Sequence, residues 1–136
     1  SDEFKIIKGV IGWVDLCNLN LHEFLEQKHQ HHKLKGFRHV LQGEEDDFML
    51  NPDFIRGIKI LSEHDYCYEI LVYENQLKSV AKLLNQLPEM RLVIDHIAKP
   101  NIKAKPDRDW IQDLKAISLH KHVYCKLSGM VTEADW

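Results

Sequence analysis

The segment Arg91-Leu92-Val93-Ile94-Asp95-His96-Ile97-Ala98-Lys99-Pro100 is apolar until it ends abruptly in Asp-His and then Lys-Pro. This is the pattern of a buried strand that delivers polar groups at its C-terminal tip, which is where parallel α/β enzymes keep their chemistry. An imidazole placed there can donate to a developing oxyanion, move a proton or bind a divalent metal. Other strand-like runs end in groups of similar capability: Asp15 after Ile6–Val14, Arg38-His39 within Leu34–Leu41, and Lys126 with Ser128 in Cys125-Lys126-Leu127-Ser128-Gly129. Arg38, Lys126 and His96 can all donate to an oxyanion, each such donor being worth on the order of 3 kcal/mol in a dry cleft.

Side chains alternate across a strand, so only one of each adjacent pair faces a given side. With His96 taken as facing the site, Asp95 is expected to point toward the flanking helices in a structural role. The same argument selects Arg38 for the site and leaves His39 to packing, while Lys126 and Ser128 share a face. Asp15 is expected to cap the helix after its strand, and Glu69 and Tyr73 are the weakest candidates. Two histidine groups offer less than they promise. His29-Gln30-His31-His32 sits at a helix end as a solvated face, and His120-Lys121-His122 precedes its strand, which puts it at the opposite end from the site.

The elements that would position these groups alternate regularly. Strand composition over Ile6–Val14 is followed by a helix at Leu21, with Asn20 and Glu23 spaced as a capping box. Leu34–Leu41 leads through the acidic Glu44-Glu45-Asp46-Asp47 to Asn51-Pro52, an N-cap with proline in the first helical position. Phe54, Ile55, Ile58 and Leu61 give that helix its apolar face. A strand over Tyr66–Val72, a helix carrying Leu77, Val80, Ala81, Leu84 and Leu87 and stopping before Pro88, and a strand over Leu92–Asp95 come next. Pro106 opens a fourth helix with Trp110, Leu114 and Ile117, and Val123–Gly129 is the fifth strand.

Strand–helix alternation with short connections predicts an α/β fold with a parallel sheet of right-handed βαβ units. Neither G-x-G-x-x-G nor a Walker A sequence occurs, which favours a (β/α)₈ barrel over an open nucleotide-binding sheet. A complete barrel takes about 250 residues. The expectation for these 136 residues is therefore a partial barrel: a single incomplete domain over 1–136, truncated at both ends, with about five parallel strands and four helices.

Composition narrows the function. The formal net charge is −3 with nine histidines taken as neutral, so there is no basic field for a nucleic-acid backbone or anionic lipid. No apolar run approaches the roughly 20 residues needed to cross a bilayer, and Ser1-Asp2-Glu3 lacks the basic start of a signal peptide, so the expectation is either a cytoplasmic protein or one whose N-terminus has been cut away. Cys17, Cys67 and Cys125 are odd in number and far apart, as expected of reduced structural cysteines.

Four segments in one order, Gly9-Val10-Ile11-Gly12-Trp13-Val14-Asp15-Leu16, Lys35-Gly36-Phe37-Arg38-His39, Val93–Pro100 and Cys125–Gly129, resemble the successive signatures of the amidohydrolase-related lactonases. The resemblance covers the chain from about residue 6 onward. It implies a (β/α)₈ barrel that opens the ester of a sugar lactone or related cyclic ester with water. The five strands would be the third to seventh of that barrel. His96 and Lys126 would be catalytic, and Arg38 and Ser128 would bind substrate. The family's His-x-His on the first strand and its general-base Asp on the last are not in this chain, so the base is expected outside it. The resemblance also leaves a divalent metal, zinc or manganese, open, with His96 as one ligand. The alternatives are a metal-dependent decarboxylase of the same superfamily and a non-catalytic partial barrel whose open edges self-associate.

Overall fold

A computed structural model describes residues 4–105 and 107–135. Pro106, expected to open the fourth helix, and the first three residues, used in the argument about a signal peptide, lie outside the described residues. Five strands, β1 (Val10–Trp13), β2 (Leu34–Val40), β3 (Cys67–Leu71), β4 (Leu92–Ile94) and β5 (Val123–Cys125), alternate with four helices, α1 (Leu21–Glu26), α2 (Pro52–Glu63), α3 (Leu77–Leu84) and α4 (Arg108–Ile117). The strands form one sheet in chain order, and every pairing is parallel. This is the expected partial barrel.

Register fixes two faces. Phe37, Tyr68, Leu92 and Val123 lie abreast, as do His39, Ile70, Ile94 and Cys125. These point toward the helices, where Tyr68, Ile70 and Leu92 are fully buried against Phe54, Ile58, Leu61, Leu77 and Val80. Trp13, Arg38, Glu69, Val93 and Tyr124 lie abreast on the other, concave face. Trp13 and Tyr124 are exposed there. β1 and β5 each pair on one side only, so both present backbone hydrogen-bonding groups along an edge.

The helices follow their sequence signals with two exceptions, one being that α3 ends at Leu84, short of the expected Leu87. Asn51 accepts a hydrogen bond from the Asp53 N–H at 2.9 Å and caps α2 behind Pro52. Asn20 precedes α1, but its side chain makes no cap bond, and its backbone N–H donates to Asn18 Oδ1 at 2.9 Å and so not to Glu23. The expected capping box therefore does not form. β1 is also shorter than expected: Ile6 lies in a turn in solvent, and the register breaks between Val10 and Ile11. β5 stops at Cys125, with one more ladder bond from the Lys126 N–H to Ile94 O.

Residues 29–32 are all exposed, as a solvated face requires, and His29 is also tied into a relay. His29 Nε2 lies 2.9 Å from His64 Nδ1, and His64 Nε2 lies 3.0 Å from His22 Nδ1. This relay ties α1 to the C-terminal end of α2. Burial, and then the neighbouring His22 and His29, lower the His64 pKa, opposed by Glu26 and Glu63. A depressed base is neutral in the fold and takes up a proton more readily when unfolded, so its contribution is present above about pH 6.5 and fades below it. Tm should therefore fall as pH drops from 7 toward 5, and His64→Asn should flatten part of that slope in a pH series of thermal melts. An unchanged slope would remove His64 from the account. His120 and His122 lie in the connection entering β5, at the sheet end opposite His96, with ring centres 5.8 Å apart.

Candidate active site

At the C-terminal ends of the strands the concave face closes into a ring of four charges. Arg38 Nη2 lies 2.5 Å from Glu69 Oε2 and 2.8 Å from Asp95 Oδ2. Lys126 Nζ lies 2.5 Å from Glu69 Oε1 and 2.8 Å from Asp95 Oδ1. Each carboxylate bridges both cations, and each cation bridges both carboxylates. Asp95 is fully buried and Glu69 nearly so, while the side chains of Arg38 and Lys126 remain 31% and 38% exposed. The ring thus sets buried anions beneath two cations that face the barrel mouth.

Burial alone would raise the Glu69 carboxyl pKa, but the hydrogen bonds from Lys126 and then Arg38 outweigh it and hold the group below its ordinary range. Burial likewise works to lower Lys126, and its contacts with Asp95 and Glu69 reverse that and raise it. Glu69 stays ionised as pH falls toward its depressed value, and Lys126 stays charged until pH passes its raised one, so the ring is intact through neutral pH.

The structure brings Arg38 and Lys126 together, and it joins His96 to Ser128: His96 Nδ1 and Ser128 Oγ share a 3.0 Å hydrogen bond. Ser128 therefore sits beside the imidazole, a placement that suits orienting the ring as well as touching substrate. His39 is on the helix face against Phe48 and Phe54, as its parity predicts. Asp15 accepts from the Cys17 N–H at 2.9 Å, and Tyr73 is exposed.

Asp95 corrects the sequence expectation. It faces the site, not the helices. Leu92 and Ile94 are the outward residues of β4, so parity turns Val93 and Asp95 inward. The error lay in counting from His96, which has already left the strand: its φ is +53°, and Ile97, Ala98 and Lys99 follow at +54°, +55° and +45°. Left-handed backbone costs roughly 1–2 kcal/mol for each residue with a Cβ, so this turn persists only because its surroundings hold it. Gly129 is part of that support. It has φ +72°, and a Cβ there would stand 2.6 Å from His96 Cγ and Nδ1. Only glycine lets the turn after Ser128 back onto the imidazole.

Glu69 is the second residue given too little weight. A carboxylate in the otherwise apolar Tyr68-Glu69-Ile70-Leu71-Val72 must meet a cation when buried, and the register sets Arg38 directly beside it. That constraint was legible in the sequence once β2 and β3 were aligned.

For a metal, the donors present do not fit. Both carboxylates are committed to cations, His96 offers one nitrogen, and among the described residues no group of three or more His, Cys, Asp or Glu could hold an ion. The described residues do not by themselves make a metal centre.

Residues 3–136 match the family model described as Amidohydrolase. The chain belongs to the amidohydrolase family. This family chain is 42% identical over 143 residues to the L-fucono-1,5-lactonase of Burkholderia multivorans, covering 99% of this chain and 47% of that protein. It is 32% identical over 131 residues to the L-fucono-1,5-lactonase of Burkholderia ambifaria, covering 96% of this chain and 45% of that protein. A crystal structure of an amidohydrolase from Burkholderia multivorans with bound zinc superposes with a TM-score of 0.88 at 40% identity, over 95% of this chain and 46% of that one. The chain spans about half the length of the curated relatives it matches. As the motifs implied, this amidohydrolase has lactonases among its relatives and takes its fold from part of a barrel. No helix among the described residues is long and apolar enough to cross a membrane.

Proposed function

We propose that this chain supplies the substrate-binding and oxyanion-stabilising half of the active-site face of a lactone-opening hydrolase. The observation that carries the reading is the ring of Arg38, Glu69, Lys126 and Asp95 at the strand tips, beside His96 and Ser128, in a chain 42% identical to an L-fucono-1,5-lactonase. A sugar lactone such as L-fucono-1,5-lactone is the substrate class.

Addition of water to the lactone carbonyl turns its oxygen into an oxyanion, and the ring opens when the C–O bond of the tetrahedral adduct breaks and the released alkoxide takes a proton. His96 donates to the oxyanion through Nε2, with Nδ1 held by Ser128. Lys126 adds a second donor, its charge fixed by the two carboxylates beneath it. Arg38 holds substrate oxygens through the donors not engaged by Glu69 and Asp95, and Ser128 contacts substrate on the same side. Glu69, kept ionised by two cations, is a weak base, so the proton acceptor for the attacking water is placed outside this chain. A divalent metal, zinc or manganese, in the complete protein would draw its ligands mainly from outside this chain, and if His96 Nε2 bound it the imidazole would serve there in place of its donor role to the oxyanion. The open edges at β1 and β5 favour self-association of the chain on its own, and a cytoplasmic setting suits its free thiols.

Arg38 provides the test. A group that binds ground and transition states alike affects KM, so Arg38→Ala in a complete barrel carrying this chain should raise KM by about 10-fold or more and change kcat less. Steady-state kinetics on a sugar lactone separate the outcomes. A fall in kcat at unchanged KM would move Arg38 to the oxyanion instead, and no effect on either would take it out of the site.

A further inference from the structure

The left-handed turn at 96–99 carries His96, and the Lys99 N–H to His96 O bond at 2.9 Å closes it without anchoring Ile97. Ile97, β-branched, holds φ +54°, a conformation such residues avoid. Its carbonyl is instead pinned from a neighbouring helix. The Ile97 carbonyl accepts a 2.9 Å hydrogen bond from Trp110 Nε1 on α4. After it, Ala98 is fully buried and the Lys99 ammonium pairs with Glu133 at 2.8 Å. Trp110 is partly buried against the core, so its indole is fixed by packing before it donates.

We propose that Trp110 is a positioning residue for His96: through the Ile97 carbonyl its indole N–H holds the left-handed turn that aims the imidazole at Ser128 and the barrel mouth. Trp110 sits in the outer helix layer on α4, and its indole N–H acts through the Ile97 backbone carbonyl. The helix layer thereby controls the direction of a side chain on the opposite face of the sheet. The functional consequence rests on the reading of His96 as a working residue, but the geometric claim does not.

The experiment is nitrogen-15 labelling of histidine in the purified protein, with the His96 ring assigned by its loss in His96→Gln. In Trp110→Phe the single ring pattern that the Ser128 bond imposes on His96 should broaden or average, while the His39 signals stay in place. Ile97→Gly in the Trp110→Phe background should restore the His96 pattern, because glycine takes a positive φ without a strut. Should Trp110→Phe fail to fold, benzothienylalanine at 110 keeps the shape and removes only the N–H, and the same signals are read. A purely structural tryptophan would lower Tm, leave the His96 signals unmoved and gain nothing from the glycine; that result overturns the proposal. In a complete barrel kcat should fall about 10-fold with KM little changed, and Ile97→Gly should recover it. A ring that responds in a barrel that opens no lactone sinks the lactonase reading and leaves the strut standing, whereas an unresponsive ring sinks the strut whatever the activity.

Discussion

His96→Ala, made in a complete barrel carrying this chain, is expected to lower kcat/KM for lactone opening by about 100-fold, equivalent to about 2.7 kcal/mol of transition-state stabilisation. The imidazole is held on Nδ1 by Ser128 at 3.0 Å and backed by Gly129, so it needs no reorganisation to meet the oxyanion. Loss of such a group falls mainly on kcat, and His96→Gln, which keeps an N–H of similar reach, should recover part of it. Far-ultraviolet circular dichroism must stay native for the result to count, since removing this side chain takes little buried apolar surface with it. Kinetics unchanged in a folded variant would take His96 out of the chemistry.

The second large effect is on stability. Asp95→Ala removes one corner of the ring and leaves Arg38 and Lys126 sharing Glu69 alone. Deleting one partner of a fully buried ion pair costs about 3–5 kcal/mol, and because the cations left behind are 31% and 38% exposed and still share Glu69, the expected cost here is about 2–3 kcal/mol. Denaturant unfolding should show a lower midpoint at an unchanged slope. Replacing a whole buried ion network by apolar residues of similar volume is often neutral or stabilising, so a ring of this kind is a poor device for stability alone. Its position at the strand tips fits the binding role assigned to it. If Asp95→Ala cost less than about 1 kcal/mol, the ring would be solvated and Asp95 would not be the anchor described.

Much of the fold was legible because the signals were local and periodic. Asn51-Pro52 capping α2, the 3.6-residue apolar spacing of α2 and α3, and apolar β3 and β4 each fix an element without reference to the rest. The shortfalls were where a long-range contact decides. β1 starts late, at Val10, because Ile6 lies in a turn exposed to solvent, and the capping box fails because the Asn20 N–H donates to Asn18 Oδ1 instead of to Glu23. In the site, Arg38, Lys126, His96 and Ser128 were selected as types at strand tips, and the structure groups them in two adjoining sets. Glu69 and Asp95 were undervalued for different reasons. Glu69 is defined by its register neighbour on β2, which a single strand does not show. Asp95 was assigned by carrying strand parity across His96, where the backbone turns left-handed and parity no longer applies.

The central claim is that this chain carries donors for substrate and oxyanion while the base that activates water comes from elsewhere in the barrel. The most direct measurement is the rate of sugar-lactone opening by the purified 136-residue chain, alone and after mixing with the segments that complete a barrel, with light scattering to follow its state of association. The account predicts a rate indistinguishable from the uncatalysed one for the chain alone, from self-associated material, and catalysis when the barrel is completed. A monodisperse monomer that turns over the lactone unaided would contradict it.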